Sequence, residues 1–239
     1  MISRKFIYKM KNGLLVIVSL MISSSAQAAG GFSSAKNKLY KKVFNNQGST
    51  FYCDCKWNNR KVDLASCGLQ GYFPKKQLKR AKRTEAEHII PASWMLKVNK
   101  KYRECAVEAK ALKKNKRKYC RANDPAYKKA HNDLVNLIPA VGQINADRSN
   151  KPYVDQVKTV KDSYGKCTVE SGKRSFSPPD HVKGDIARVA FYMGEEYGVV
   201  YSKRQQEVFV RWSESDPVSA GEREHHKKVI KVQGYGLEL

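Results

Sequence analysis

Arg83-Thr84-Glu85-Ala86-Glu87-His88-Ile89-Ile90-Pro91-Ala92 sets a carboxylate and an imidazole side by side at the head of an apolar segment. Residues 87–90 have the β-branched apolar character of a strand, and Pro91, which cannot donate to a ladder, stops it. The acid–imidazole pair therefore belongs at a strand end, not inside a helix. Successive side chains of a strand point to opposite faces, so Glu87 and His88 reach one site only if the strand end twists.

Farther along stands a second polar cluster, Asn132-Asp133-Leu134-Val135-Asn136-Leu137-Ile138-Pro139-Ala140, which offers further oxygen ligands. Asp124-Pro125 before it is a helix-start signal, and the helix would carry Tyr127, Ala130, Leu134 and Leu137 inward until Pro139 ends or breaks it. Upstream, residues 75–82 read as a basic approach segment. Residues 50–53 and 61–64 read as a short hairpin around Asn58-Asn59, and residues 34–44 as a helix with Leu39, Tyr40, Val43 and Phe44 on one face.

Downstream, residues 143–151 and 172–179 read as loops. The clearest helix covers residues 182–197, with Ile186, Val189, Ala190, Met193 and Tyr197 at helical spacing and Gly198 as its stop. Ser202 with Gln205 and Ser219 with Glu222 have the form of capping boxes before two more helices. Helices outnumber strands, so the fold class is α+β: a single mixed domain, predominantly helical, with a small antiparallel sheet.

The N-terminus has the pattern of an export signal: Arg4, Lys5, Lys9 and Lys11, then an apolar run, then Ala26-Gln27-Ala28. We assign residues 1–28 to a signal peptide and residues 29–239 to one domain, expected as a monomer in the periplasm or outside the cell. The apolar run is shorter than the roughly 20 residues that span a bilayer, so no membrane span is expected in the mature chain. With 46 Lys and Arg against 22 Asp and Glu, the formal charge of +24 makes a polyanion the natural partner. Residues 97–121 are the densest basic region and read as a loop. Cysteines 53, 55, 67, 105, 120 and 167 in an exported chain imply three disulfides. Cys105 with Cys120 is the favoured pair, since both flank the self-repelling basic stretch. Zinc on Cys53, Cys55 and Cys67 is disfavoured, because a C-x-C pair lacks the usual spacer.

Hydrolysis of a phosphodiester requires an activated water, a Lewis acid on the phosphate, and cationic help with the charge built up in the transition state. His88, with an unperturbed pKa near ~6.5, is the candidate base. Glu87 is a candidate metal ligand, and Asn136 a second, with Asp133 and Asn132 as rivals on the same segment. Two oxygen ligands suit Mg²⁺, which keeps several waters; Mn²⁺ or Ca²⁺ are substitutes. Arg117 can meet a phosphate bidentately. Each residue has a plain structural alternative: a surface Glu–His pair, a capping Asn136, a solvated Arg117. Their joint occurrence in an exported, strongly basic chain favours the chemical reading. Two other classes compete with it: a cationic protein that binds nucleic acid or another anionic polymer without cleaving it, and a zinc hydrolase built on Glu222, His225 and His226.

Phe51-Tyr52-Cys53-Asp54-Cys55, Ser66-Cys67-Gly68, Glu85 to Ala92, Asp133 to Asn150, and Ile186-Ala187-Arg188 to Phe191-Tyr192-Met193 together resemble the bacterial endonuclease I family, which comprises periplasmic or secreted, sequence-non-specific nucleases of DNA and RNA. The resemblance covers most of the mature chain. It implies a ββα-metal (His-Me finger) active site that leaves 5′-phosphate ends, with His88 as general base, Glu87 and Asn136 as metal ligands and Arg117 as the phosphate-stabilising arginine. It also supports the Cys105–Cys120 bridge. The chain departs from the family at Ala86, where Trp is common, at Val135, where His is common, and in lacking a cysteine near the C-terminus.

Overall fold

The computed structural model describes residues 31–98 and 100–239; the expected signal peptide lies outside them. The chain opens with helix α1 (Phe32–Asn37), which widens into a π-helical turn over Lys38–Val43 and buries Ala35, Leu39, Tyr40 and Val43. Asn59 and Arg60 both adopt left-handed backbone, with φ of 46° and 66°. Two such residues in succession close a tight hairpin between β2 (Lys56–Asn58) and β3 (Lys61–Val62). The expected hairpin is therefore present with a different first arm. Residues 50–53 are a turn instead, and β1 (Gln47–Ser49) pairs with β2. Asp54, also left-handed at φ 53°, breaks any extended run there. The two neighbouring thiols accordingly diverge, Cys53 to Cys167 and Cys55 to Cys67.

Two antiparallel strands carry the segment that opened the sequence. In β4 (Thr84–His88) and β5 (Leu137–Val141), Glu87 faces Ile138 and His88 faces Leu137 across the ladder. Among the described residues the sheet has only these two strands, so Pro139 in β5 leaves no neighbour without a donor, which is why the proline sits in a strand and not at a helix end. The preceding helix ends early: α6 (Pro125–Asn132) is capped by Asp124 as expected but stops at Asn132. Asp133 accepts from the Val135 N–H and starts a separate 3-10 turn over Leu134–Asn136.

Straight after β5, residues 143–148 of the segment expected as a loop form helix α7 (Gly142–Arg148), and only residues 149–151 lie outside regular structure. Its polar residues mislead because they spend their hydrogen bonds inside the protein: Gln143 donates to Asp147 and Asn145 to Glu85. Gly142 is required at the start of α7, since a Cβ there would lie 2.6 Å from the Arg80 carbonyl oxygen. β4, β5 and α7 thus form a compact ββα unit.

Between the strands lie α3 (Ala92–Val98), α4 (Lys100–Ala111) and α5 (Lys116–Asn123). The basic region is therefore helical where a loop was expected, and so is the approach segment, as α2 (Lys75–Ala81). Like charges spread around exposed helix faces, and the Cys105–Cys120 bridge holds α4 against α5. A hairpin of β6 (Val160–Tyr164) and β7 (Cys167–Gly172), extended by the short β8 (Phe176–Ser177), precedes the C-terminal helices α8 (Lys183–Tyr197), α9 (Lys203–Ser215) and α10 (Ala220–Gln233). β8 and the end of β7 occupy part of the second expected loop. All three C-terminal helices match expectation. Ser202 and Ser219 cap α9 and α10, and Gly198 ends α8 in left-handed backbone.

Candidate active site

Glu87 and His88 do point to opposite faces of β4. Glu87 is 3% exposed and meets Tyr52, whose hydroxyl donates to Oε1 at 2.9 Å, and Arg148, whose Nη1 lies 3.3 Å from the same oxygen. His88 is half-buried among Phe32 and His131. What joins the faces is Arg148, at the end of α7. Its Nη1 also donates to the His88 carbonyl at 2.9 Å, its Nη2 donates to the Ile89 carbonyl, and its guanidinium lies over the Tyr153 ring.

His88 Nε2 lies 2.9 Å from the backbone carbonyl oxygen of His131. A carbonyl only accepts, so Nε2 carries the proton and Nδ1 is the unprotonated nitrogen. Burial, reinforced by His131 and by the Arg117 and Arg148 charges, holds the imidazole pKa well below its usual value. His88 is thereby a neutral acceptor over the physiological range. His131 is also neutral, its pKa lowered by burial to about 4.

Burial pushes the Glu87 carboxyl up to about 7, against the pull of Arg148 and Tyr52. Proton counting supports that direction. Tyr153 donates its hydroxyl proton to the Ile89 carbonyl, and Tyr52 donates its own to Glu87, yet the two hydroxyls also lie 3.1 Å apart. While Glu87 is ionised, that contact has no proton to spare. A proton on Glu87 lets one chain run from Glu87 through Tyr52 and Tyr153 to the carbonyl. The carboxylate is thus short of positive charge, and a hard cation at Glu87 fits the deficit.

Asn136 stands at the same end of the ladder. Its Oδ1 accepts from the Ile90 N–H at 2.7 Å and its Nδ2 donates to the Ile90 carbonyl at 2.9 Å, so the side chain continues the β4–β5 pairing by one step. An amide oxygen has two lone pairs, and one remains for a cation. Of its two rivals, Asp133 is a structural hub: it takes Tyr192, Tyr197, Gln233 and the Val135 N–H on its two oxygens. Asn132 is held against His131 Nδ1, which donates to its amide oxygen at 3.0 Å.

Arg117 lies exposed in the first turn of α5, and its charge acts on His88, Tyr127 and His131. It is on the His88 side of the site. Arg121, one turn on, is half-buried and stands 5.7 Å over the Phe32 ring.

The departures from the family pattern fall on packing positions. Val135 is buried near Gly236, and Ala86 pairs across the ladder with Pro139. The zinc alternatives are overturned: the cysteines form three disulfides, and Glu222 is bound bidentately by Arg188 at 2.7 and 2.6 Å.

A family model for endonuclease I matches residues 31–236. The chain belongs to the endonuclease I family. It is 34% identical over 229 residues to a periplasmic deoxyribonuclease of Aeromonas hydrophila, covering 93% of this chain and 89% of that protein. It is 35% identical over 210 residues to an extracellular deoxyribonuclease of the same organism (85% and 86% covered). It is also 35% identical over 199 residues to endonuclease-1 of Buchnera aphidicola subsp. Acyrthosiphon pisum (81% and 74% covered). This endonuclease I member is an exported nuclease, periplasmic or extracellular, and no helix among its described residues is long and apolar enough to cross a membrane.

Sequence reasoning placed Glu87 and His88 at a strand end and named Asn136 as a ligand, but it carried a helix past Asn136 and gave no role to Arg148, Tyr52, Tyr153, His131 or Phe32; the structure sets Asn136 directly before β5. Arg148 and Tyr52 lie inside the quoted motifs, so the signal was there without its geometry. Tyr153, His131 and Phe32 carry no local mark.

A wide cleft of about 1050 Å³ is lined by Tyr153 together with Lys158, Lys161, Lys173, Arg174 and Arg204 and, among the described residues, by no carboxylate.

Proposed function

We propose that this endonuclease I member is a Mg²⁺-dependent endonuclease that hydrolyses DNA, and RNA as well, without sequence preference. The observation that carries the proposal is the fixed His88 tautomer beside a charge-deficient Glu87 at one strand end. His88 Nδ1 takes the proton from the water that attacks phosphorus, and the Nε2–H bond to His131 disperses the charge the imidazole acquires. Glu87 and Asn136 are the residues that would hold Mg²⁺, which when bound polarises the phosphate and stabilises the departing oxygen. Arg117 neutralises the non-bridging oxygens. Breaking the bond to the 3′ oxygen leaves a 5′-phosphate. Arg148 takes no part in bond breaking; it holds the backbone of His88 and Ile89 and balances Glu87.

Affinity without sequence preference follows from phosphate contacts by a strongly cationic surface. The test is digestion of plasmid and RNA with Mg²⁺, with Mn²⁺ or Ca²⁺ in its place, and with EDTA, beside His88→Ala. The expected result is cleavage with Mg²⁺, none with EDTA, and a rate loss of roughly 10²–10⁴-fold in His88→Ala with DNA binding intact. A shifted but uncut band for the wild-type protein would leave only polyanion binding.

A further inference from the structure

We propose that Phe32 is a positioning residue for His88, supplied by the N-terminal helix. This rests on the reading of His88 as the base. The phenyl ring is stacked on the imidazole, with centroids 5.4 Å and planes 22° apart. It meets His131 edge-on at 4.8 Å, and His131 stands edge-on to His88 at 4.6 Å. The three rings form one closed cluster.

The two restraints on His88 act differently. The His131 carbonyl holds one atom, Nε2, at 2.9 Å and leaves the ring free to swing about that point. A flat ring lying nearly parallel to the imidazole removes the swing, and with it the freedom of Nδ1. An aliphatic side chain of equal bulk fills the space without defining a plane.

Phe32 is itself seated. Lys36 Nζ and Arg121 Cζ stand 5.2 and 5.7 Å from its ring centroid, and α1 packs on α6, which carries His131. Core burial accounts for only part of the ring, which packs against the edge of the core. The fully buried side chains of this segment are Ala35, Leu39, Tyr40 and Val43, whereas Phe32 is only half-buried and turns towards β4.

Cleavage kinetics of Phe32→Leu, Phe32→Ala and Phe32→Tyr, run with His88→Ala under Mg²⁺, test the proposal. Leu and Ala are expected to lower kcat about 10- to 100-fold with KM unchanged, and Tyr to keep the wild-type rate. In NMR spectra of the metal-free proteins, the low-field Nε2–H resonance of His88 is expected in the wild type and Phe32→Tyr and to broaden in the other two. Phe32→Leu keeps apolar volume, so it decides the matter even where Phe32→Ala does not fold. Wild-type kcat in a folded Phe32→Leu protein, or equal losses in Leu and Tyr, would overturn the proposal. Full activity of His88→Ala would instead sink the assignment of the base, and the resonance would still report whether Phe32 orders the ring.

Discussion

Arg148 holds Nη1 3.3 Å from Oε1 of Glu87 while both side chains are almost wholly buried, at 1% and 3% exposure. The pair ties the last residue of α7 to β4, so the helix of the ββα unit balances the charge that the strand buries.

Removing the cation should therefore be costly. Arg148→Met leaves Glu87 without its ion partner and removes the guanidinium donors to the His88 and Ile89 carbonyls. We expect a loss of about 3–5 kcal/mol in urea unfolding. Arg148→Lys keeps the charge but not the planar fork, and should recover only part of it. An unchanged unfolding midpoint in Arg148→Met would contradict this account.

The Glu87 carboxyl sets a pH dependence with a definite sign. Its folded pKa of about 7 lies above the ordinary 4.5, so its stabilising contribution is complete below about 4.5 and is lost as pH rises through 7. A bound cation competes with that proton. The gain in Tm on adding Mg²⁺ should be larger at pH 8 than at pH 6, and should disappear in Glu87→Gln. Equal gains at both pH values would argue against Glu87 as a ligand.

Asp133 and Asn136, close in sequence, should separate in the same measurement. Asp133→Asn disturbs the hub that holds Tyr192, Tyr197 and Gln233, and is expected to cost about 1–3 kcal/mol while the Mg²⁺-dependent Tm gain persists. Asn136→Ala should lose stability and the Mg²⁺ gain together.

The Cys105–Cys120 bridge spans a sequence separation of 15 residues, and opening it in a Cys105→Ser/Cys120→Ser protein should cost about 3 kcal/mol. Because α5 carries Arg117 and Arg121, kcat should fall as well. Thermal unfolding and plasmid digestion check the two parts separately.

Replacing Lys158, Lys161, Lys173, Arg174 and Arg204 by Gln should flatten the dependence of DNA affinity on salt, by about 0.9 in the logarithmic slope for each phosphate no longer neutralised. The rate at saturating substrate should stay unchanged, since none of the five belongs to the Glu87 or His88 surroundings. Fluorescence anisotropy across a salt series, with EDTA to prevent cutting, supplies the slope.

The local rules worked where a side chain and its own backbone decide the outcome. Asp124-Pro125 starts α6, Ser202 and Ser219 cap α9 and α10, and Gly198 ends α8, all within a few residues of the atoms involved. They failed where polarity was taken for exposure. Residues 143–148 looked like a loop because Gln143, Asn145 and Arg148 are polar, yet in α7 those groups bond to Asp147, Glu85 and the β4 backbone. The same error made a loop of the lysine-rich stretch that forms α4 and α5.

By itself the sequence determined the class of chemistry: an acid beside an imidazole at a strand end, an amide downstream, six cysteines and a large positive charge. Only the tertiary structure decided which nitrogen of His88 is the acceptor, why the Glu87 carboxyl is pushed up to about 7, and that Asp133 is a hub. The first two depend on His131, Tyr52, Arg148 and Tyr153, and the hub on Tyr192, Tyr197 and Gln233, all brought to their partners by packing between distant segments. A pKa or a tautomer is set by the groups within a few ångströms, and spacing along the chain does not reveal which groups those are.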